Sequence, residues 1–137
     1  MKLLLLISLL FSTLLGAQPS YKAELDSHTL ATMLAKNEIV LFDIRTKAEW
    51  HESGVIEKSH LVTFFDEKGR YDMKLFMQTF NRHVKDKKTP IAFICRSGSR
   101  TLPVSRYFSD TGHQNVYNIT GGILGWKKAK FSLIPYK

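Results

Sequence analysis

Short apolar runs alternate with amphipathic stretches from Leu30 to Trp126, and the alternation predicts the elements. Ile39 to Ile44 is a nearly continuous apolar run of strand-forming residues, the pattern of a strand buried on both faces. Ile91 to Ile94 repeats that pattern, Val116 to Ile119 gives a short strand, and His60 to Phe65 reads as another. Between them, Leu30, Met33 and Leu34 share one helical face, capped by Asp26 or Ser27 and ending near Asn37. Thr46 with Glu49 fits a capping box, so a short helix spans Lys47 to Glu52 until Gly54 ends it. Met73, Phe76, Met77, Phe80 and Val84 form one stripe of a helix, a core face rather than a cofactor box. A fourth helix runs from about Ser99 to Asp110, with Pro103 confined to its first turn, and a last one surrounds Trp126. Gln18 to Asp26 is polar and reads as an irregular lead-in, Asp66 to Arg70 as a loop, and Lys85 to Pro90 as a charged connector. Strands and helices in this order predict an α/β fold, a three-layer sandwich whose central, mostly parallel sheet carries helices on both faces.

The first residues change the expected compartment. Met1-Lys2 precedes an apolar run from Leu3 to Leu15 and then Gly16-Ala17, the composition of a secretory signal peptide. The run is shorter than the roughly 20 residues of a membrane span. Cleavage after Ala17 is therefore favoured over an uncleaved anchor, leaving a periplasmic or secreted protein with no stable membrane span. Residues 18–24 are the lead-in, and residues 25–132 form one domain without repeats or low-complexity segments.

Composition narrows the partners. The formal net charge of +8 suits a small anionic substrate or an acidic surface better than nucleic acid, which an exported protein seldom meets. The single cysteine, Cys95, excludes an intramolecular disulfide, so the core holds without covalent staples. The histidines, His28, His51, His60, His83 and His113, show no ligand spacing. They are read as surface or structural residues, and no metal or cofactor is expected.

The candidate chemistry lies at Cys95-Arg96-Ser97-Gly98-Ser99-Arg100, a short loop between a buried strand and a helix. A thiolate is the nucleophilic form of cysteine. If the loop curls, the N–H groups of residues 96 to 100 converge on the sulfur, and the helix N-terminus adds partial positive charge. Arg96 and Arg100 add full charges, and Gly98 permits the tight backbone angles. The same concave array binds an incoming oxyanion. A buried core cysteine beside two surface arginines is the bland alternative, and the clustering of arginines, serines and glycine argues against it.

This loop resembles the active-site loop of the rhodanese (thiosulfate sulfurtransferase) family. Phe42-Asp43-Ile44-Arg45, with Glu49, Trp50 and Gly54 beyond, resembles that family's strand and following helix. Gly121-Gly122-Ile123-Leu124-Gly125-Trp126 resembles its near-terminal segment. One departure is Gly54-Val55-Ile56 followed by Lys58-Ser59, where the family commonly carries Gly-His-Ile and a Gly-Ala pair.

The resemblance implies a rhodanese-like sandwich and a two-step sulfur transfer. Cys95 attacks the outer sulfur of thiosulfate or a similar anionic donor, and a thiol, cyanide or a protein acceptor takes that sulfur from the resulting persulfide. Arg96 and Arg100 hold the donor or brace the loop, together with Ser97, Gly98 and Ser99. Asp43 and Arg45 play supporting parts, with Asp43 ordering a neighbouring loop or pairing with an arginine rather than acting as a base. Two rivals stand beside this reading. One is a non-catalytic sulfur carrier or binding module. The other is a cysteine phosphatase, whose loop is one residue longer between cysteine and arginine than the four residues found here.

Overall fold

The computed structural model describes residues 21–137, so the signal peptide expected at residues 1–17 and residues 18–20 lie outside the described residues. In chain order the elements are β1 (Tyr21–Leu25), α1 (Ser27–Ala35), β2 (Val40–Asp43), α2 (Lys47–Ser53) and β3 (His60–Leu61). They are followed by α3 (Met73–His83), β4 (Ile91–Ile94), α4 (Thr101–Asp110), β5 (Val116–Ile119) and α5 (Gly122–Lys128). All strand pairs are parallel, in the order β1-β5-β4-β2-β3, which places β4 at the centre.

Side-chain alternation along β4 divides the core in two. Ile91, Phe93 and Cys95 pack with Phe76 and Phe80 of α3 and Val104 and Phe108 of α4. Ala92 and Ile94 face the other way, toward Leu30 and Leu34 of α1 and Ile123 and Trp126 of α5. The architecture is therefore the three-layer α/β sandwich that the pattern predicts.

Local chemistry sets the helix ends. Asp26 caps α1 by accepting from the Thr29 N–H at 2.8 Å, and Thr46 and Glu49 close the capping box of α2. α4 starts at Thr101 rather than Ser99, with Pro103 in its first turn.

Two expectations need correction. The stretch read as an irregular lead-in instead forms β1, which pairs Glu24 with Asn118 and Leu25 with Ile119 of β5. It is an edge strand without an apolar run, so its hydrogen-bonding partner is what identifies it. The strand expected over His60 to Phe65 shrinks to β3 because β2 ends at Asp43. Beyond that point the Val62 and Phe64 N–H groups bond only to the Asp43 and Ile44 carbonyls as the chain turns away.

Candidate functional site

The site begins where β4 ends. Cys95 follows Ile94 with no solvent exposure, and the next residues curl back over it. The Gly98 N–H donates to the Cys95 Sγ at 3.1 Å. That return requires φ of +96° at Gly98, where a side chain would also crowd the Ile119 carbonyl oxygen at 3.2 Å. The Thr101 hydroxyl, in the first turn of α4, lies 3.6 Å from the same sulfur. The six-residue segment is thus wrapped about the sulfur rather than extended.

A guanidinium pair braces the far end of the loop. Arg100 donates to Glu49 on α2 through both terminal nitrogens, at 2.6 and 2.8 Å. This pairing, with the Thr46 N–H also donating to the carboxylate, holds the Glu49 pKa down at about 2 against its burial. It also raises the Arg100 pKa, with a smaller contribution from the nearby Cys95 sulfur. Helix α2 is fixed in its turn by a buried pair. Arg45 contacts Asp43 at 2.6 Å and donates to the Gly54 carbonyl at 2.8 Å and the Ser53 hydroxyl at 2.6 Å.

Helix α5 clamps the loop from the other side. The Ile123 and Leu124 N–H groups donate to the Cys95 and Arg96 carbonyls at 2.9 and 3.1 Å. Gly122, at φ of +55°, is pressed so closely on those carbonyls that a Cβ would overlap both. Arg96, Ser97 and Ser99 remain exposed, with the two serine hydroxyls 3.3 Å apart. A small cavity of about 70 Å³ opens beside Arg96, lined also by Arg45, Glu49, Glu52 and Lys127. A larger cleft of about 270 Å³ between α3 and α4 includes no residue of the loop.

A family model described as a rhodanese-like domain matches residues 26–129. The chain belongs to the rhodanese-like domain family. It is 30% identical over 106 residues to a protein named sulfurtransferase from Allochromatium vinosum, covering 77% of this chain and 88% of the relative. Among solved structures, Rv0390 of M. tuberculosis superposes with a TM-score of 0.68 at 22% identity, covering 86% of this chain and 98% of that one. A Rhodopseudomonas palustris protein titled a possible tyrosine phosphatase superposes with a TM-score of 0.62 at 22% identity, over 82% and 84% of the two chains. At such identity the two structures speak for the fold alone.

Within this rhodanese-like frame the expected residues sort into three groups. Cys95 and Gly98 meet at the sulfur, Arg100 is a brace paired with Glu49, and Arg96, Ser97 and Ser99 form the exposed rim. Among the described residues Gly98 is the backbone donor on the sulfur, a narrower set than the five N–H groups expected to converge there. Asp43 pairs with Arg45, which bonds the end of α2 at Ser53 and Gly54 and also lines the cavity beside Arg96. Sequence reasoning missed Thr101, Asn118 and Glu24, which meet beneath the loop from α4, β5 and β1. It also missed that His60 and His83 stack at 3.5 Å. Their rings lie nearly parallel, 19° apart.

Proposed function

We propose that this domain is a sulfurtransferase working through a persulfide on Cys95. The thiolate attacks the outer sulfur of thiosulfate or a similar donor, the sulfur–sulfur bond of the donor breaks, and sulfite leaves with the bonding electrons. A nucleophilic acceptor, such as cyanide or a thiol, then attacks the outer sulfur of the persulfide and restores the Cys95 thiolate. The observation that supports this reading is a sulfur enclosed by a loop with only four residues between Cys95 and Arg100, the Gly98 N–H on the sulfur. Such a ring suits a single sulfur atom better than a phosphoryl group.

The arginines divide the work. Arg100 is occupied by Glu49 and keeps the loop closed, while exposed Arg96 meets the anionic donor at the rim. Because the Cys95 side chain has no exposure, the donor reaches the sulfur as Arg96 to Ser99 move outward. On the composition of residues 1–17, the reaction takes place outside the cytoplasm.

Steady-state assays test the reading. Thiosulfate releases sulfite, and added cyanide yields thiocyanate over repeated turnovers, both lost in Cys95→Ser. A single round without turnover supports a dedicated carrier. Hydrolysis of p-nitrophenyl phosphate without sulfur transfer overturns the proposal in favour of a phosphatase.

A further inference from the structure

Beneath the loop lies a polar chain, buried at Thr101 and Asn118 and reaching the surface at Glu24, that the sulfur-transfer steps above leave unused. Thr101 is fully buried and its hydroxyl has three neighbours: the Gly98 carbonyl at 3.0 Å, the Asn118 Oδ1, and the Cys95 Sγ at 3.6 Å. A hydroxyl has one proton to give. Two of the three neighbours, the Gly98 carbonyl and the Asn118 Oδ1, are oxygens that only accept.

The orientation of Asn118 is not free. Its Nδ2 faces Glu24 on β1, donating to Oε1 at 2.8 Å and Oε2 at 3.1 Å. A carboxylate takes only donors, so the amide must present its oxygen to Thr101. Thr120 donates to the same carboxylate at 2.9 Å and holds it in place. The Thr101 proton therefore goes to the Asn118 or Gly98 oxygen rather than to the sulfur, and the Thr101 oxygen turns a lone pair to Cys95.

We propose that Glu24, acting through Asn118, is a positioning residue that keeps Thr101 as a proton acceptor for the Cys95 S–H in the resting site. The hydroxyl must rotate its proton from the oxygen acceptors to the sulfur before it can stabilise the anion. The inference rests on the reading of Cys95 as the reacting group. The other charges around the site are Arg96 and Arg100 on the loop, Glu49 of α2 behind Arg100, and Arg45, Glu52 and Lys127 lining the cavity at the rim. From α3 the packed neighbours, Phe76 and Phe80, are apolar. Arg100 and the Gly98 N–H favour the anion, and the Thr101 orientation opposes them.

The test is the pH profile of iodoacetamide alkylation of Cys95 in the full chain, measured in a double-mutant cycle. Glu24→Ala frees the Asn118 amide to turn its NH2 toward Thr101, and alkylation at neutral pH rises about threefold as the profile moves to lower pH. Part of that rise is the loss of one negative charge, which acts whether or not Thr101 is present. In a Thr101→Val background the same substitution therefore gives a factor smaller by about twofold or more. Equal factors in the two backgrounds overturn the proposal. Glu24→Gln, which keeps the shape of the side chain, gives an intermediate shift and serves for the cycle where Glu24→Ala does not fold. Alkylation reads the sulfur without any donor. Failure of the sulfurtransferase assay with an intact cycle therefore removes the transfer chemistry alone, and equal factors with full transfer remove this inference alone.

Discussion

The aromatic layer under α3 and α4 and the loop around Cys95 are adjacent, yet different forces hold them. Phe42, Phe76, Phe80, Phe93 and Phe108 pack ring against ring, with Phe80 and Phe108 centroids 4.4 Å apart, all nearly or fully buried. Each ring of that layer touches several others. The loop is fixed instead by one-to-one polar contacts from five elements: Glu49 to Arg100, the Thr101–Asn118–Glu24 chain, and the N–H groups of Ile123 and Leu124. Apolar packing supplies stability without direction, whereas these contacts supply direction and modest stability. The comparison implies that substitutions in the two regions separate stability from sulfur chemistry.

The largest effect is expected in the aromatic layer. Phe80→Ala removes a ring buried among four other phenylalanine rings and costs about 3–5 kcal/mol. Chemical denaturation reads that loss, while sulfur transfer per folded molecule stays near the wild-type value. A similar fall in specific activity would break the distinction between the regions. Gly122→Ala comes next, because it forces a Cβ onto the Cys95 and Arg96 carbonyls at a left-handed backbone position. It costs about 2 kcal/mol of stability and lowers activity at least tenfold. Here the chemistry suffers along with the fold.

Glu49→Gln sharpens the comparison through pH. The Glu49 carboxyl has a folded pKa of about 2 against an ordinary 4.5. Its pair with Arg100 thus stabilises fully above 4.5 and loses that contribution as pH falls toward 2. The pair is partly exposed, so Glu49→Gln costs only about 1 kcal/mol at neutral pH. Unfolding measured between pH 2 and pH 4.5 should show a shallower pH dependence in the variant than in wild type. The smallest effect belongs to His60, whose pKa burial pushes down, with help from the stacked His83. The unfolded chain then takes up a proton more readily, so stability declines as pH drops below the ordinary 6.5. His60→Phe reduces that decline in thermal melts at pH 5 to 7.

The aromatic layer was legible in the sequence because its residues repeat at strand and helix periods. The stripe from Met73 to Val84 and the run from Ile91 to Ile94 each name their own buried face. Within the loop, Cys95, Gly98 and the arginines could be read as one motif, since they are neighbours in the chain. The partners that orient them could not. Glu49 lies 51 positions from Arg100, and Glu24 lies 94 from Asn118. β1 was missed for a related reason: its place in the sheet comes from pairing with β5 rather than from an apolar pattern of its own. Asp43 was read as a pairing residue, and its partner Arg45 stands two positions away, close enough for sequence to suggest it.

The central claim is that the Cys95 sulfur accepts a sulfur atom inside its loop. Intact-mass spectrometry of the purified protein after incubation with thiosulfate tests it most directly. A gain of about 32 Da in wild type, absent in Cys95→Ser and reversed by cyanide, is the result expected. An unchanged mass across thiosulfate and other sulfane donors, with the protein folded and Cys95 reduced, would contradict it.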